Sequence, residues 1–217
     1  MTTHLQMELE HIKSRLFEMA DRSIESITRS VESLKACDPK TAAAVIRDDS
    51  FIDELEKSID EECVKILVTR QPAAVDLRFV LAMLKINTDL ERIGDLATSI
   101  AKQEIILDGR PPVKPLIDIP RMAEIAISMI KDSLASITEG DSEKAKAVIA
   151  RDTEIDELNV QIFRELLSIM AESPTKISDA FALITASRSL ERIGDHATNI
   201  AERAVYYIEG IDIRHTL

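Results

Sequence analysis

The stretch LERIGDLATSIA occupies residues 90–101, and LERIGDHATNIA, identical at ten of twelve positions, occupies residues 190–201. A second pair behaves in the same way. VIRDDSFIDELE at residues 45–56 matches VIARDTEIDELN at residues 148–159 in seven of twelve positions. The separation is 100 residues for the first pair and 103 for the second. This order indicates a duplicated unit. We expect the three-residue difference to lie in the turn between the second and third predicted helices of each unit, because turns tolerate changes in chain length.

The composition favours helices throughout the chain. Of the 217 residues, 45% are hydrophobic and 3% aromatic, with only 5 Gly and 7 Pro. Straight-chain residues with few breakers are typical of helical proteins. Helix-breaking or capping pairs divide the chain into six long helical stretches. These breaks are Asp38-Pro39, Gln71-Pro72, the DGRPP segment at 108–112, Gly140-Asp141 and Ser173-Pro174.

The Pro-rich segment at 108–112 is the clearest break, and it separates three helices from three helices. We therefore predict an all-α fold of two tandem homologous three-helix bundles, related by a pseudo-two-fold internal repeat. The predicted domains are residues 1–108 and residues 115–217. Each unit can bury its apolar stripes internally, as antiparallel bundles do.

The repeated segment has a distinct apolar face when it is placed on a helix. That face should pack inward, and it consists of Leu90, Ile93, Ala97, Ile100 and Ala101. Gly94 lies at the edge of this face. Its missing side chain would let a neighbouring helix approach, at a cost of about 1 kcal/mol in helix propensity.

Pairs of acidic residues recur at matched positions in the two halves. Like charges four residues apart oppose helix formation by a few tenths of a kcal/mol, so a bound cation would offset their repulsion. Carboxylates without Cys suit Mg, Mn, Fe(II) or Ca. We hypothesise two surface metal sites, one in each half. Their ligands would be Asp49, Asp53, Glu91 and Asp95 in the first half, and Asp152, Asp156, Glu191 and Asp195 in the second.

A solvated acidic face is the alternative explanation of these pairs. Acidic residues are 39 of 217, so several such pairs arise by chance. Duplication also preserves packing, so Gly94 and Gly194 alone could account for the repeat. His196 follows Asp195, whereas the first half has Leu96 at that position, and a structural histidine fits this difference better than a metal ligand. Arg92 and Arg192 are expected to neutralise their acidic neighbours.

The charge and the missing motifs exclude several classes of function. A net charge of −12 argues against nucleic-acid binding, which needs clustered Lys and Arg. Cys37 and Cys63 form no CxxC site, and no apolar run is long enough for a membrane span. The opening MTTHLQMELEHIK does not resemble a signal peptide, so we expect a cytoplasmic protein. No phosphate loop, nucleophile elbow, HExxH or interior Glu-x-x-His pair is present, so we expect no enzyme.

Three motifs together carry a resemblance that covers essentially the whole chain. They are the two copies of LERIGD-x-A-x-x-IA, the RQPAAVDLR segment at residues 70–78, and H-x-x-x-E-L-x-x-I at residues 4–12. The chain resembles the PhoU family of phosphate uptake regulators. The resemblance implies a cytoplasmic, non-catalytic negative regulator of phosphate uptake and of phosphate-starvation signalling. It implies an adaptor that acts on the ATPase subunit of the phosphate ABC transporter and on a two-component sensor histidine kinase.

The resemblance also implies a cofactor. Some family members carry multinuclear iron or zinc clusters on the bundle surface, held by E/D-x-x-x-D motifs that match the eight carboxylates named above. The unequal pair Leu96 and His196 leaves open whether both halves bind the same metal. A metal-binding helical-bundle enzyme or metal store is the alternative function, and a purely structural scaffold is a third. A homodimer is compatible with the long amphipathic helices.

Overall fold

The computed structural model describes residues 4–213, and these residues are helical almost throughout. They contain eight α-helices and one short 3-10 turn at Pro174–Lys176, with no β-strand in the described part. The predicted all-α class is confirmed. No helix in residues 4–213 combines the length and the apolar character that crossing a membrane requires. The α-helices are α1 (His4–Ala36), α2 (Pro39–Asp48), α3 (Ser50–Arg70), α4 (Ala74–Leu107), α5 (Asp118–Glu139), α6 (Ser142–Ala150), α7 (Asp152–Glu172) and α8 (Ile177–Glu209).

Two of the six predicted long helices are each made of two segments. The predicted second helix consists of α2 and α3, which meet at Asp49. The predicted fifth helix consists of α6 and α7, which meet at Arg151. Both junction residues keep right-handed helical torsion angles, so neither break needs a glycine or proline. The six predicted helical stretches are confirmed, four as single helices and two with a break at one residue.

Two of the predicted caps hold the start of a helix in place. Asp38 accepts hydrogen bonds from the backbone N–H groups of Lys40 and Thr41, and so caps α2, whose first residue is proline. Asp141 caps α6 in the same way. The three-residue difference in repeat spacing arises between residues 56 and 90, a stretch that contains the α3–α4 turn at residues 71–73. In the second half, Ser173 and the 3-10 turn Pro174–Lys176 connect α7 to α8. The predicted start of α4 at Gln71-Pro72 is corrected to Ala74, because Gln71 has left-handed torsion angles.

Each half is a bundle in which the last helix lies at the centre. In the first half α4 packs on α1, α2 and α3, and in the second half α8 packs on α5, α6 and α7. The predicted inward face of α4 is confirmed, because all five of its residues are completely buried. These contacts confirm two homologous bundles. The boundaries at 1–108 and 115–217 stay a prediction, since one hydrophobic core runs through both halves.

Helices α4 and α8 join the two halves by packing against each other in antiparallel directions. Ser99 Oγ lies 3.3 Å from Ser189 Oγ, and Asn199 Nδ2 lies 3.3 Å from Asp89 Oδ1. These two contacts involve equivalent positions of the two repeats. The pseudo-two-fold relation therefore places each helix opposite its own duplicate.

A buried carboxyl group lies near the end of α4. Glu104 is completely buried, and its position in the second repeat is occupied by Ala204. Burial raises the pKa of Glu104 to about 7, and the negative charges of Asp38 and Asp108 act in the same direction. Neither carboxylate oxygen makes a hydrogen bond within the described residues. The folded protein therefore holds this proton to higher pH than the unfolded chain does, and the free energy of unfolding falls as pH rises from about 4.5 to 7.

Replacing this carboxyl by an amide should remove that pH dependence. We expect Glu104→Gln to raise the free energy of unfolding by roughly 1–3 kcal/mol at pH 8, and by much less at pH 4.5. Urea unfolding at both pH values measures the difference. The control is Glu32→Gln, an exposed glutamate on α1, which should change stability little at either pH. An equal gain at both pH values would show that packing, and not ionisation, accounts for the effect.

Candidate acidic surface site

The two glycines of the repeated segment are in contact with the helix breaks. A Cβ atom built on Gly94 would lie 2.9 Å from Ile52 Cδ1 and 3.2 Å from Asp49 Oδ1. The predicted close approach of a neighbouring helix is thereby confirmed, and the neighbour is the start of α3. Any side chain at position 94 would require the Ile52 and Asp49 side chains to shift.

The second half repeats this contact with nearly the same geometry. A Cβ atom built on Gly194 would lie 2.9 Å from Ile155 Cδ1 and 3.2 Å from Asp152 Oδ1. Asp152 is the first residue of α7, just after the break, as Asp49 lies just before α3. In each half, therefore, the repeated glycine allows the repeated aspartate to lie against the central helix of the bundle.

The aspartates at the two breaks are the most strongly perturbed of the eight carboxylates. Burial raises the pKa of Asp49 to about 6, with further contributions from the negative charges of Asp53 and Asp95. Burial likewise raises the pKa of Asp152 to about 6, and the charges of Asp156, Asp195 and Glu191 add to the effect. Carboxylates of α3 and α4, or of α7 and α8, therefore lie near enough to repel one another.

The glutamates of the repeated segments belong to the same patches. Burial raises the pKa of Glu91 above its usual range, and the charge of Asp95 on the next helical turn acts in the same direction. Glu191 has a raised pKa because of burial and the charges of Asp195 and Asp156. We define the first acidic patch as Asp49, Asp53, Glu91 and Asp95, and the second acidic patch as Asp152, Asp156, Glu191 and Asp195.

The predicted outward orientation of the carboxylate pairs is correct for only part of each patch. Asp95, Asp156 and Asp195 are exposed, but the other five predicted residues are partly buried. Asp152 Oδ1 is fully buried and makes no hydrogen bond within the described chain. The reason is the contact at each glycine, which brings the aspartate at the helix break against the neighbouring helix.

Arginines neutralise part of this charge, as predicted for Arg92. Its guanidinium lies 3.3 Å from the Glu91 carboxylate and 3.0 Å from the Asp95 carboxylate. In the second half the charge of Arg192 lowers the pKa of Glu191 and of Asp195, although burial and acidic neighbours outweigh it. The patches are therefore acidic surfaces with arginine counter-charges at their edges.

Glu56 joins the first acidic patch, and the sequence analysis did not identify it. Burial raises its pKa, and the charges of Asp60 and Asp53 act in the same direction. Asp60 also accepts a hydrogen bond of 2.9 Å from the buried side chain of Asn87. Glu56 lies three residues after Asp53, and Asp60 lies four residues after Glu56. This helical spacing could have predicted that both extend the acidic face of α3. Asn159 takes the place of Glu56 in the second half, so the first patch is the more acidic.

His196 contacts the other half of the molecule. Its Nδ1 atom lies 2.9 Å from Asp89 Oδ1 of α4, and its side chain is 18% exposed. This position fits the predicted structural role. Leu96, its counterpart in the first half, is buried. The replacement of Leu96 by His196 in the second half is therefore explained by the contact between halves. Only His196 faces an aspartate, because the residue equivalent to Asp89 is Ser189.

The donor chemistry of the patches fits a hard cation. Carboxylate oxygens are the ligands that such cations prefer, and the buried Asp152 Oδ1 has no other partner within the described residues. Within residues 4–213, no three His, Cys, Asp or Glu side chains are grouped closely enough to hold one ion. Binding would therefore require the carboxylates to turn toward one another and Arg92 to move aside. The eight predicted ligands stay a prediction.

Comparison with known proteins extends across both repeats. The family model described as the PhoU domain matches residues 16–103 and again residues 119–204. The chain belongs to the PhoU family. It is 40% identical over 210 residues to the phosphate-specific transport system accessory protein PhoU homolog of Pseudomonas putida, covering 96% of this chain and 82% of that protein. The homolog of Aquifex aeolicus is 40% identical over 208 residues, with 96% and 94% covered.

Solved structures of PhoU proteins have the same fold. The crystal structure of PhoU from Pseudomonas aeruginosa superposes with a TM-score of 0.91 at 36% identity, covering 96% of this chain and all of that one. The phosphate transport system regulatory protein PhoU from Streptococcus pneumoniae gives a TM-score of 0.88 at 25% identity, with 96% and 99% covered. The resemblance inferred from LERIGD and RQPAAVDLR is thus confirmed. These relatives are named as accessory or regulatory proteins of phosphate transport systems.

The glycine contact can be tested by adding a side chain. We expect Gly94→Val to lower the free energy of unfolding by roughly 1–3 kcal/mol, because its methyl groups would overlap the buried Ile52 side chain. Thermal and urea unfolding measure the change. The matched control is Thr88→Val on the exposed side of α4, which should stay within about 0.5 kcal/mol of wild type. A Gly94→Val protein as stable as the control would mean that α3 does not depend on this close approach.

Proposed function

We propose that this protein is a cytoplasmic negative regulator of phosphate uptake and of phosphate-starvation signalling. It works as an adaptor that docks on the ATPase subunit of the phosphate ABC transporter and on a two-component sensor histidine kinase. The observation that carries the proposal is the family match over both repeats, since the relatives are named accessory proteins of a phosphate transport system. We infer that the protein catalyses no reaction.

The acidic patches support a docking role. A partner that binds more tightly in one conformational state is shifted toward that state, and no chemistry is required of the adaptor. Strongly acidic surfaces attract basic surfaces and limit the choice of partner. We propose that the two patches contact basic surfaces of the partners, and that the pseudo-two-fold relation offers two equivalent docking positions.

Docking can be tested by reversing the charge of the patches. The variant Asp53→Lys/Asp156→Lys places one reversed charge in each patch and leaves the partly buried aspartates at the helix breaks unchanged. We expect it to fold normally and to lose at least tenfold in affinity for the ATPase subunit or the kinase, because opposite charges become like charges. Affinity capture from the native host grown in high phosphate, followed by mass spectrometry and titration of the captured partner, measures the loss.

The control variant carries the same change of net charge elsewhere. Asp21→Lys/Glu32→Lys reverses two exposed residues of α1 and should keep partner binding. Equal binding by both variants would remove the acidic patches as the docking surface. If neither the ATPase subunit nor the kinase is captured by the wild-type protein, while other proteins are captured reproducibly, the adaptor function is wrong.

We further propose that each acidic patch binds a divalent metal, with iron or zinc as multinuclear clusters and Mg or Mn as alternatives. A metal held there would neutralise the carboxylates and fix the shape of the docking surface. The proposal is supported by the mutual repulsion of the carboxylates and by the unpaired Asp152 Oδ1 in the described chain. Asp49, Asp53, Glu91 and Asp95 would hold the metal of the first patch.

Metal binding can be tested by removing two ligands at once. We expect Glu91→Gln/Asp95→Asn to bind about half as much Fe(II) or Zn(II) as wild type, because the second patch remains intact. Equilibrium dialysis followed by elemental analysis measures the ratio. Glu18→Gln/Asp21→Asn on α1 makes the same change in net charge and should leave the ratio unchanged. An unaltered ratio in the patch variant would refute the first metal site.

A further inference from the structure

The antiparallel pair α4 and α8 forms two grooves at equivalent positions of the repeats. The first has a volume of about 220 Å³ and is lined by Leu81, Ala82, Lys85, Arg203, Tyr206 and Asp212. The second has a volume of about 500 Å³, and Phe181, Ala182 and Ile106 occupy the positions equivalent to Leu81, Ala82 and Tyr206. The pseudo-two-fold relation thus provides two grooves at equivalent places, which differ in volume and in lining.

Charge is the main difference between the two grooves. Lys85 and Arg203 line the first groove, whereas the equivalent Thr185 and Gln103 line the second. Arg78 lies one helical turn before Leu81 on the same face of α4, and its equivalent, Ser178, also lines the second groove. Two cations therefore line the first groove, with Arg78 one helical turn away, in a chain of net charge −12, whereas three neutral polar residues line the second.

Two of these cations have a buried donor without an acceptor. The Nε atoms of Arg78 and Arg203 are fully buried, and neither makes a hydrogen bond within the described chain. Arg78 reaches the C-terminal end of α8, where its Cζ atom lies 3.6 Å from the Cβ position of Gly210. A buried guanidinium donor without an acceptor is costly, and an anion is the partner that best satisfies it.

We propose that the first groove binds a phosphate group, either as inorganic phosphate or as a phosphomonoester. Guanidinium groups bind phosphate oxygens through paired N–H donors, and an ammonium group adds a point charge. A chain this acidic repels anions generally, so a local basic groove is needed for any anion to bind. The argument rests on the two arginines, because Lys85 and Asp212 each interact with other groups of the chain.

Stabilisation of the end of α8 is the competing explanation for these cations. Positive side chains near a helix C-terminus are favourable, and Arg78 lies beside the last turn of α8. That explanation predicts a loss of stability when the cations are removed, with no effect of phosphate. It also gives no reason for Arg203, which lies about two turns before the end of the helix. The two explanations therefore differ in whether phosphate binds to the isolated chain.

Phosphate binding is measured by isothermal titration calorimetry at constant ionic strength and pH 8, with a chelator present and no partner protein. The ligands are inorganic phosphate and AMP. We expect one site per chain for at least one of them.

Lys85→Thr/Arg203→Gln, which installs the residues of the second groove, should weaken binding at least tenfold. Arg22→Gln/Arg121→Gln removes two cations from other helices and should bind as wild type does. Asp212→Asn should strengthen binding, because it removes a negative charge from the groove.

The absence of binding by both ligands at millimolar concentration would overturn the proposal. Equal weakening in the two double variants would also overturn it, since general charge and not the groove would then be responsible. Circular dichroism of the variants checks folding, and Arg203→Lys provides a milder change if the double variant is unfolded. We expect Arg203→Lys to retain weakened phosphate binding, and unchanged affinity would count against the groove. The test uses no partner, so its outcome is separate from that of the docking function.

Discussion

Close packing at Gly94 and Gly194 sets the geometry of each half. No side chain separates these residues from the helix break opposite, and Ile52 and Ile155 fill the space that a Cβ atom would need. A glycine inside a helix costs about 1 kcal/mol relative to alanine, so the contact must return at least that much by packing. The same contact partly buries an aspartate. The packing of the bundle and the raised pKa of its acidic patch therefore have one cause.

The two glycines lie on α4 and α8, which are the central helices and have other helices packed on more than one side. Each packs against the helices of its own half and against the other, so residues outside the apolar face, such as Leu96 and Thr98, are buried as well. Duplication initially produces identical surfaces at such an interface. Later substitutions have made it asymmetric, with Asp89 opposite His196 and Asn199 on one side, and Ser189 opposite Ser99 on the other.

The sequence predicts those features that depend on local patterns. The repeat, the caps at Asp38 and Asp141, and the inward face of α4 follow from spacing and from turn chemistry. The break at Asp49 does not, because this residue keeps helical torsion angles and no glycine or proline marks it. The partial burial of the acidic pairs depends on which helix faces Gly94. The basic groove depends on the register of α4 against α8, which no single stretch of sequence contains.

Each acidic patch takes two of its carboxylates from α4 or α8, the two helices that also form the first groove. Repulsion among the carboxylates opposes the packing of α3 on α4, so a cation bound there would stabilise that packing through its preference for the folded form. A phosphate group between Arg78 and Arg203 would likewise favour the packed arrangement of α4 and α8. Both arrangements include α4, so ligands that favour the packed form of this helix strengthen each other's binding, and this coupling is reciprocal. A docked partner would then respond to cation and phosphate together, because both ligands stabilise the packing of α4.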